Sequence, residues 1–283
     1  MRTDLAFPRM SHPRSVAEAL QELGRDGAQA VAGATWVLRA PLRHEAVVPN
    51  LVALNRVEGL GGFDVGPAAV TIGPLVTHDL LARRLPEAMG LEALRKAAVR
   101  AANPGVRRIA TIGGNISAHD FAASDFAAAL ISLDATVTIA QASGERAMPV
   151  EEFLSQRAKL ERPWLVTAIT VPADPARASA HERLPMRRAG DYPSAIVNAS
   201  ASAEGQWRIG VSAVEDQPKR WHALEQALRG VSPAQAEEAA RDLAAAFIGR
   251  DTPGTPGWYR VSVLPVLVRR AVTAIEAQLS GRP

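Results

Sequence analysis

Apolar residues recur along this chain at two spacings, and the change from one to the other marks its elements. Val16, Leu20 and Leu23 share one helical face. Ser15 stands where an N-cap belongs, Glu18 completes a capping box, and Gly24 can end the helix. Residues 28–32 then read as a short strand that runs straight into Gly33-Ala34-Thr35-Trp36. A second strand is predicted over 46–48, ending at Pro49-Asn50, and 51–66 reads as strand and turn. Residues 69–73 form a β-branched strand, after which Thr77 caps a helix starting near His78. An Ala-, Leu- and Arg-rich helix over 91–102 is stopped by Asn103-Pro104-Gly105. After a turn comes Thr111-Ile112-Gly113-Gly114-Asn115-Ile116. A helix over 126–133, a strand over 135–140, a hairpin turn at 143–146 and a strand over 164–171 complete this half.

Pro172, Asp174, Pro175 and the Ala/Ser stretch to Ala180 read as a linker, which places a domain boundary there. Beyond it, 184–188, 195–203 and 207–214 alternate like antiparallel strands. A helix over 224–229 ends at Gly230, and a second runs from the N-cap Ser232 over 233–247. The final helix covers 259–279, and Pro265 kinks or restarts it. No internal repeat is visible. The expectation from this pattern is two domains, residues 1–174 and 181–283.

Composition narrows the function classes. The 283 residues suffice for two modest domains, and 47% hydrophobic residues fit an ordinary globular protein. Net charge is only +3, with Lys confined to Lys96, Lys159 and Lys219, and the Arg residues are dispersed. That is no nucleic-acid footprint. The chain has no Cys, which rules out a disulfide framework, a thiolate zinc site and any iron–sulfur cluster held by this chain. Its six His residues are scattered without an i, i+4 pair, so no metal site is suggested. The first 14 residues lack a signal-peptide core, and no apolar run reaches membrane-spanning length. The expected location is the cytoplasm.

Two segments share one design, in which an apolar strand leads into small residues and a hydroxyl. They are Val31-Ala32-Gly33-Ala34-Thr35 and Thr111-Ile112-Gly113-Gly114-Asn115. Small residues allow close backbone approach, and successive N–H groups can point at an anion. There is no G-x-G-x-x-G fingerprint and no Walker loop. Either segment alone also reads as a plain tight turn, so physics alone reaches an α/β protein with a candidate anion site.

The blocks in order resemble the flavoprotein subunit of the xanthine dehydrogenase and carbon monoxide dehydrogenase family. Thr111 to Ile116, then Ser124-Asp125 and the run 128–135, resemble the family's T-I-G-G-N block, its later Asp and its P-A-L-L-A-L-D-A run. Residues 32–36 resemble its A-G-G-T-D loop, 72–77 its I-G-A-x-x-T segment, and Tyr259-Arg260 with Arg269-Arg270-Ala271 its C-terminal signature. The resemblance implies an α+β protein: a vanillyl-alcohol-oxidase or PCMH-type FAD-binding domain of two subdomains (1–55 and 56–174), followed by a small α+β domain. By carry-over, Val31, Ala32, Gly33, Ala34, Thr35 and Trp36 would meet the FAD pyrophosphate from one side, and Thr111, Gly113, Gly114 and Asn115 from the other. Asp125 would accept from ribityl or ribose hydroxyls, or else it or Ser124 caps the next helix. Val166 and Tyr192 would lie near the flavin, although a Tyr at 192 also fits a core or interface. Three departures stand out. Ala34 replaces a Gly, which is tolerable if φ there is negative; Trp36 replaces an Asp; and the path to Asp125 is longer than usual, leaving Asp120 as a substitute.

The resemblance further implies an oxidoreductase subunit that performs no substrate chemistry alone. Electrons would come from a molybdopterin centre in a large subunit through [2Fe-2S] clusters in a small one. They would pass to FAD here and on to NAD, a quinone or oxygen. The assembly would be a dimer of heterotrimers. The competing readings are a stand-alone flavin oxidase and a non-catalytic scaffold with a decayed flavin site.

Overall fold

The computed structural model describes residues 8–46, 48–186 and 192–281. It contains three sheets, each with its own core. The first is a parallel sheet of β1 (Arg9–Ser11), β2 (Ala28–Val31) and β3 (Asn50–Ala53), with β3 in the middle. Helix α1 (Val16–Leu23) packs on it and buries Ala19 and Leu23. Ser15 caps α1 by accepting from the Glu18 N–H, and the Glu18 carboxylate reaches back to the Arg14 N–H. The strand expected at 46–48 falls partly on Val47, outside the described residues; the ladder begins at Asn50 instead. Pro49 has no N–H to donate, so pairing starts after it.

The second sheet is antiparallel, in the order β4 (Phe63–Val65), β5 (Ala69–Ile72), β8 (Trp164–Pro172), β6 (Thr136–Gln141) and β7 (Gly144–Pro149). Between β5 and β6 run α2 (His78–Arg84), α3 (Glu92–Arg100), α4 (Pro104–Arg107), α5 (Ile112–Ser117) and α6 (Asp125–Ser132); α7 (Val150–Gln156) follows β7. These helices and strands enclose one core containing Ile72, Leu94, Ile112, Ile116, Phe126 and Ile169. Two differences from the sequence expectation are informative. Asn103-Pro104 does not merely stop α3 but starts α4, with the Asn103 side chain accepting from the Val106 N–H. The Gly-Gly of 113–114 is not a strand-end turn: it lies in the first turn of α5, which Thr111 caps. Ile112 and Ile116, four apart, bury one face of that turn, and this packing outweighs the glycines' poor helix propensity.

The third sheet has the order β12 (Lys219–Arg220), β11 (Trp207–Ser212), β10 (Pro193–Ala201) and β9 (Ala178–Pro185). Its remaining helices are α8 (His222–Ala227), α9 (Pro233–Leu243), α10 (Gly257–Ser262) and α11 (Leu264–Ser280). Pro265 sits at the start of α11, so it restarts the helix. Strand β9 begins at Ala178, inside the expected linker, and Arg187 and Arg188 of the expected strand lie outside the described residues. The small Ala and Ser residues there serve close packing: Ser179 accepts from the Ala93 N–H and donates to the Gly90 carbonyl. The third unit is pressed against the second. A Cβ on Gly210 of β11 would stand 2.2 Å from the Ala128 carbonyl oxygen of α6.

Candidate functional site

The chain leaves β2 at Val31 and turns at residues 32–36 before a 3-10 stretch, Val37–Arg43. Gly33 is required by packing, because a Cβ there would lie 1.8 Å from the Ile109 carbonyl oxygen. The same contact brings this turn beside Ile109-Ala110, which lead directly into Thr111. Ala34 has φ of +60°, so the proviso of a negative φ is not met. A left-handed alanine costs roughly 1–2 kcal/mol. The backbone N–H groups of Gly33, Ala34, Thr35 and Trp36 make no hydrogen bond to any described residue. Successive free amides around a left-handed residue form an anion-binding concavity.

The second segment uses its amides differently. The Ile112 N–H donates to the Val76 carbonyl, and the Gly113 N–H to the Pro74 carbonyl, both at 3.0 Å. The Gly114 N–H donates to the Thr111 hydroxyl at 3.1 Å. What remains free is the Thr111 backbone N–H, which has no partner among the described residues, and two side-chain donors, the Thr111 O–H and the Asn115 NH₂. The Asn115 side-chain oxygen Oδ1 accepts from the Ser124 hydroxyl at 2.5 Å. Gly113 is needed for packing, since a Cβ would stand 2.3 Å from Pro74 Cβ. Gly114 is exposed, and its added Cβ would meet only the Thr111 hydroxyl, at 3.0 Å.

Around these segments lies an aromatic and charged array. Trp36 Nε1 donates to Asp120 Oδ1 at 2.9 Å. The Arg43 guanidinium lies over the Trp36 ring at 3.9 Å, a cation–π contact, and Phe121 packs on that ring at 4.8 Å. Phe121 meets Tyr192 edge-on, and Arg39 donates to the Tyr192 hydroxyl at 3.4 Å. The hydrogen bond from Arg43 to Glu45 raises the guanidinium pKa further, and lowers that of Glu45. The array joins the first sheet's loop, the α5–α6 loop and the third unit.

Two of the expected site residues stand elsewhere. Val166 is buried in the second core, paired with Ile139. Asp125 is 2% exposed and committed to the third unit: Arg183 Nε lies 3.0 Å and His181 Nε2 3.3 Å from its Oδ1. Ser124, not Asp125, caps α6. Asp120 is the exposed carboxylate at the site. Beneath Thr111, the buried His78 holds its backbone N–H on the Ala110 carbonyl and its ring against Phe126. Burial pushes this imidazole down to about 4, with the Thr111 backbone and Asp125 opposing. Arg39, Arg43 and Phe121 escape sequence reading. Pro41 hides the 3-10 turn that carries the two arginines, and nothing local marks Phe121.

Residues 5–174 match the family described as FAD binding domain in molybdopterin dehydrogenase. The chain belongs to that family. Its α+β fold is the PCMH-type FAD-binding architecture followed by a smaller domain. It is 28% identical to the glyceraldehyde dehydrogenase medium chain of Sulfolobus acidocaldarius, over 93% of this chain and 97% of that one. It is 33% identical to the 6-hydroxypseudooxynicotine dehydrogenase complex subunit alpha of Paenarthrobacter nicotinovorans over 63% of this chain, a match spanning 61% of that relative. A carbon monoxide dehydrogenase structure from Hydrogenophaga pseudoflava, which lacks the Mo-pyranopterin moiety, superposes with a TM-score of 0.86 at 28% identity. It covers 96% of this chain and 98% of that one. This flavoprotein is thus an FAD-binding component of an oxidoreductase, related to medium subunits of multi-subunit enzymes. Among the described residues, no helix is long and apolar enough to cross a membrane.

Proposed function

We propose that the chain is the flavin relay of a molybdenum hydroxylase. It takes electrons from [2Fe-2S] clusters of a small partner subunit, fed by a molybdopterin-binding large subunit, and delivers them to an external acceptor such as NAD, a quinone or oxygen. The observation that carries this reading is the turn 33–36, with four free amides, set beside the Thr111-capped α5. The donor set suits a pyrophosphate: neutral N–H groups, with no lysine needed. Gly33, Ala34, Thr35 and Trp36 would hold it through backbone amides, with Val31 and Ala32 delivering the turn. Thr111 and Asn115 would add side-chain donors from the other side, and exposed Gly114 leaves room for close approach, with Gly113 fixing the backbone beneath. Tyr192, 47% exposed, meets Phe121 in a T-shaped contact in the same region. When bound, FAD supplies the redox chemistry, and the protein supplies position and electrostatics. The residues held inward, Asp125 and Val166, support the seat without lining it. The division at 1–174 and 181–283 assigns the cofactor to the first two sheets and leaves the third as their cover.

The test is to purify the full chain alone and with whatever copurifies from its native host. A flavin absorption spectrum with one FAD per chain, and copurification of a molybdenum-containing large subunit and a Cys-rich small one, is the expected result. A colourless chain that takes up no added FAD would contradict it and favour a scaffold role. A flavoprotein that oxidises a small substrate with no partner would favour a stand-alone oxidase.

A further inference from the structure

Trp36 closes the turn of free amides, and its contacts indicate how its large side chain is used. Nearly every group it owns is already taken by protein. Its Nε1–H is bonded to Asp120, and its ring is covered by Arg43 and packed by Phe121. Its carbonyl accepts from Arg43 Nη1 and from the Arg39 N–H, both at 3.0 Å. Only its backbone N–H is left without a described partner, and that N–H is the last of the free amides.

We infer that Trp36 is a positioning residue: its side chain does not hold the cofactor but anchors the 33–36 turn to the α5–α6 loop, so that the amides stay aimed at one point. Asp120 and Arg43 are its partners in this role. This inference rests on the flavin reading. The anchor accounts for two features together. A turn containing a strained, left-handed Ala34 would relax if it hung free, because such strain persists only where the surroundings over-determine it. The bond from Trp36 to Asp120 spans 84 residues, so it ties the turn to the other side of the site rather than to its own neighbours. The cation–π contact and the Arg43–Glu45 ion pair of 2.6 Å stiffen the indole from the 3-10 side. Pre-aimed amides avoid an ordering cost when an anion binds.

A double-mutant cycle on FAD affinity tests this, using the full chain and flavin absorbance as readout. W36F keeps a ring for Arg43 and Phe121 but loses the donor; D120A loses the acceptor; D120N keeps a carbonyl acceptor. W36F and D120A should each weaken FAD binding about fivefold, as loss of one hydrogen bond does. The double variant should be no weaker than either single one, and D120N should bind close to wild type. Amide hydrogen exchange of residues 33–36 in the FAD-bound chain should quicken in W36F and D120A, while that of α5 stays unchanged. Additive losses would show that Asp120 and Trp36 act independently on FAD and would overturn the inference. So would unchanged affinity in both single variants. A wild-type chain that binds no FAD overturns the flavin reading itself, which separates the two failures.

Discussion

The turn 33–36 and the first turn of α5 both join small residues to a threonine, yet they manage their backbone amides in opposite ways. In 33–36 the amides have no partner among the described residues, and the structure that holds the turn is built from side chains: Trp36, Arg43, Asp120 and Phe121. In 112–115 the amides are the structure, pinned to Pro74, Val76 and Thr111, and the free donors are side chains together with the Thr111 N–H. A motif that reads as one design twice is therefore two devices. One offers backbone and is braced by side chains; the other offers mainly side chains and is braced by backbone. Glycine content does not distinguish them, but the fate of each N–H does.

Substitutions sharpen this contrast. The largest effect is expected at Gly33. Gly33→Ala puts a Cβ 1.8 Å from a backbone oxygen that cannot move aside cheaply, so unfolding free energy should fall by at least about 3 kcal/mol in chemical denaturation. Gly113→Ala, crowded by Pro74, should cost about 2–3 kcal/mol. Gly114→Ala should cost less than about 1 kcal/mol, so any loss it causes should appear in FAD binding rather than in melting. Equal destabilisation by all three would break the distinction between packing glycines and an open one.

Acid should strike the second device first. The His78 imidazole, beneath Thr111, is held down to about 4 in the folded chain by burial, whereas a free imidazole titrates near 6.5. The unfolded chain therefore binds the extra proton first. Stability from this group is complete above about pH 6.5 and is lost as pH falls toward 4, on the order of 3 kcal/mol in all. His78→Leu should flatten that slope in pH-dependent denaturation; an unchanged slope would remove His78 from the explanation. Smaller effects come from the caps and the strained residue. Thr111→Ala should cost about 1 kcal/mol by uncapping α5. Ala34→Gly should gain about 1 kcal/mol, because glycine adopts φ of +60° without penalty. A loss at Ala34→Gly would mean that the turn depends on the alanine itself.

Much of this is legible in the sequence, for local reasons. Ser15, Thr77 and Ser232 announce helix starts because a hydroxyl next to an apolar period has few other uses, and the structure caps α1, α2 and α9 with them. The family blocks locate both devices. What the sequence does not show depends on distant contacts. Thr111 reads as a loop residue because Gly-Gly argues against helix, and only burial of Ile112 and Ile116 against a core assembled from afar overrides that propensity. Residues 178–180 look like a linker because they are small, yet their smallness is what lets α3 approach β9. Asp125 carries no local sign that Arg183 and His181, more than 50 residues on, will claim it. The bracing of Trp36 is likewise invisible locally, since Asp120 and Phe121 sit in another subdomain.

Amide hydrogen exchange of the full chain with and without FAD tests the two-device account most directly. The amides of Gly33, Ala34, Thr35 and Trp36 should exchange quickly without FAD and become strongly protected with it. Those of Ile112, Gly113 and Gly114 should be protected from the start and change little. Strong new protection over 112–114, with 33–36 unaffected, would contradict the account.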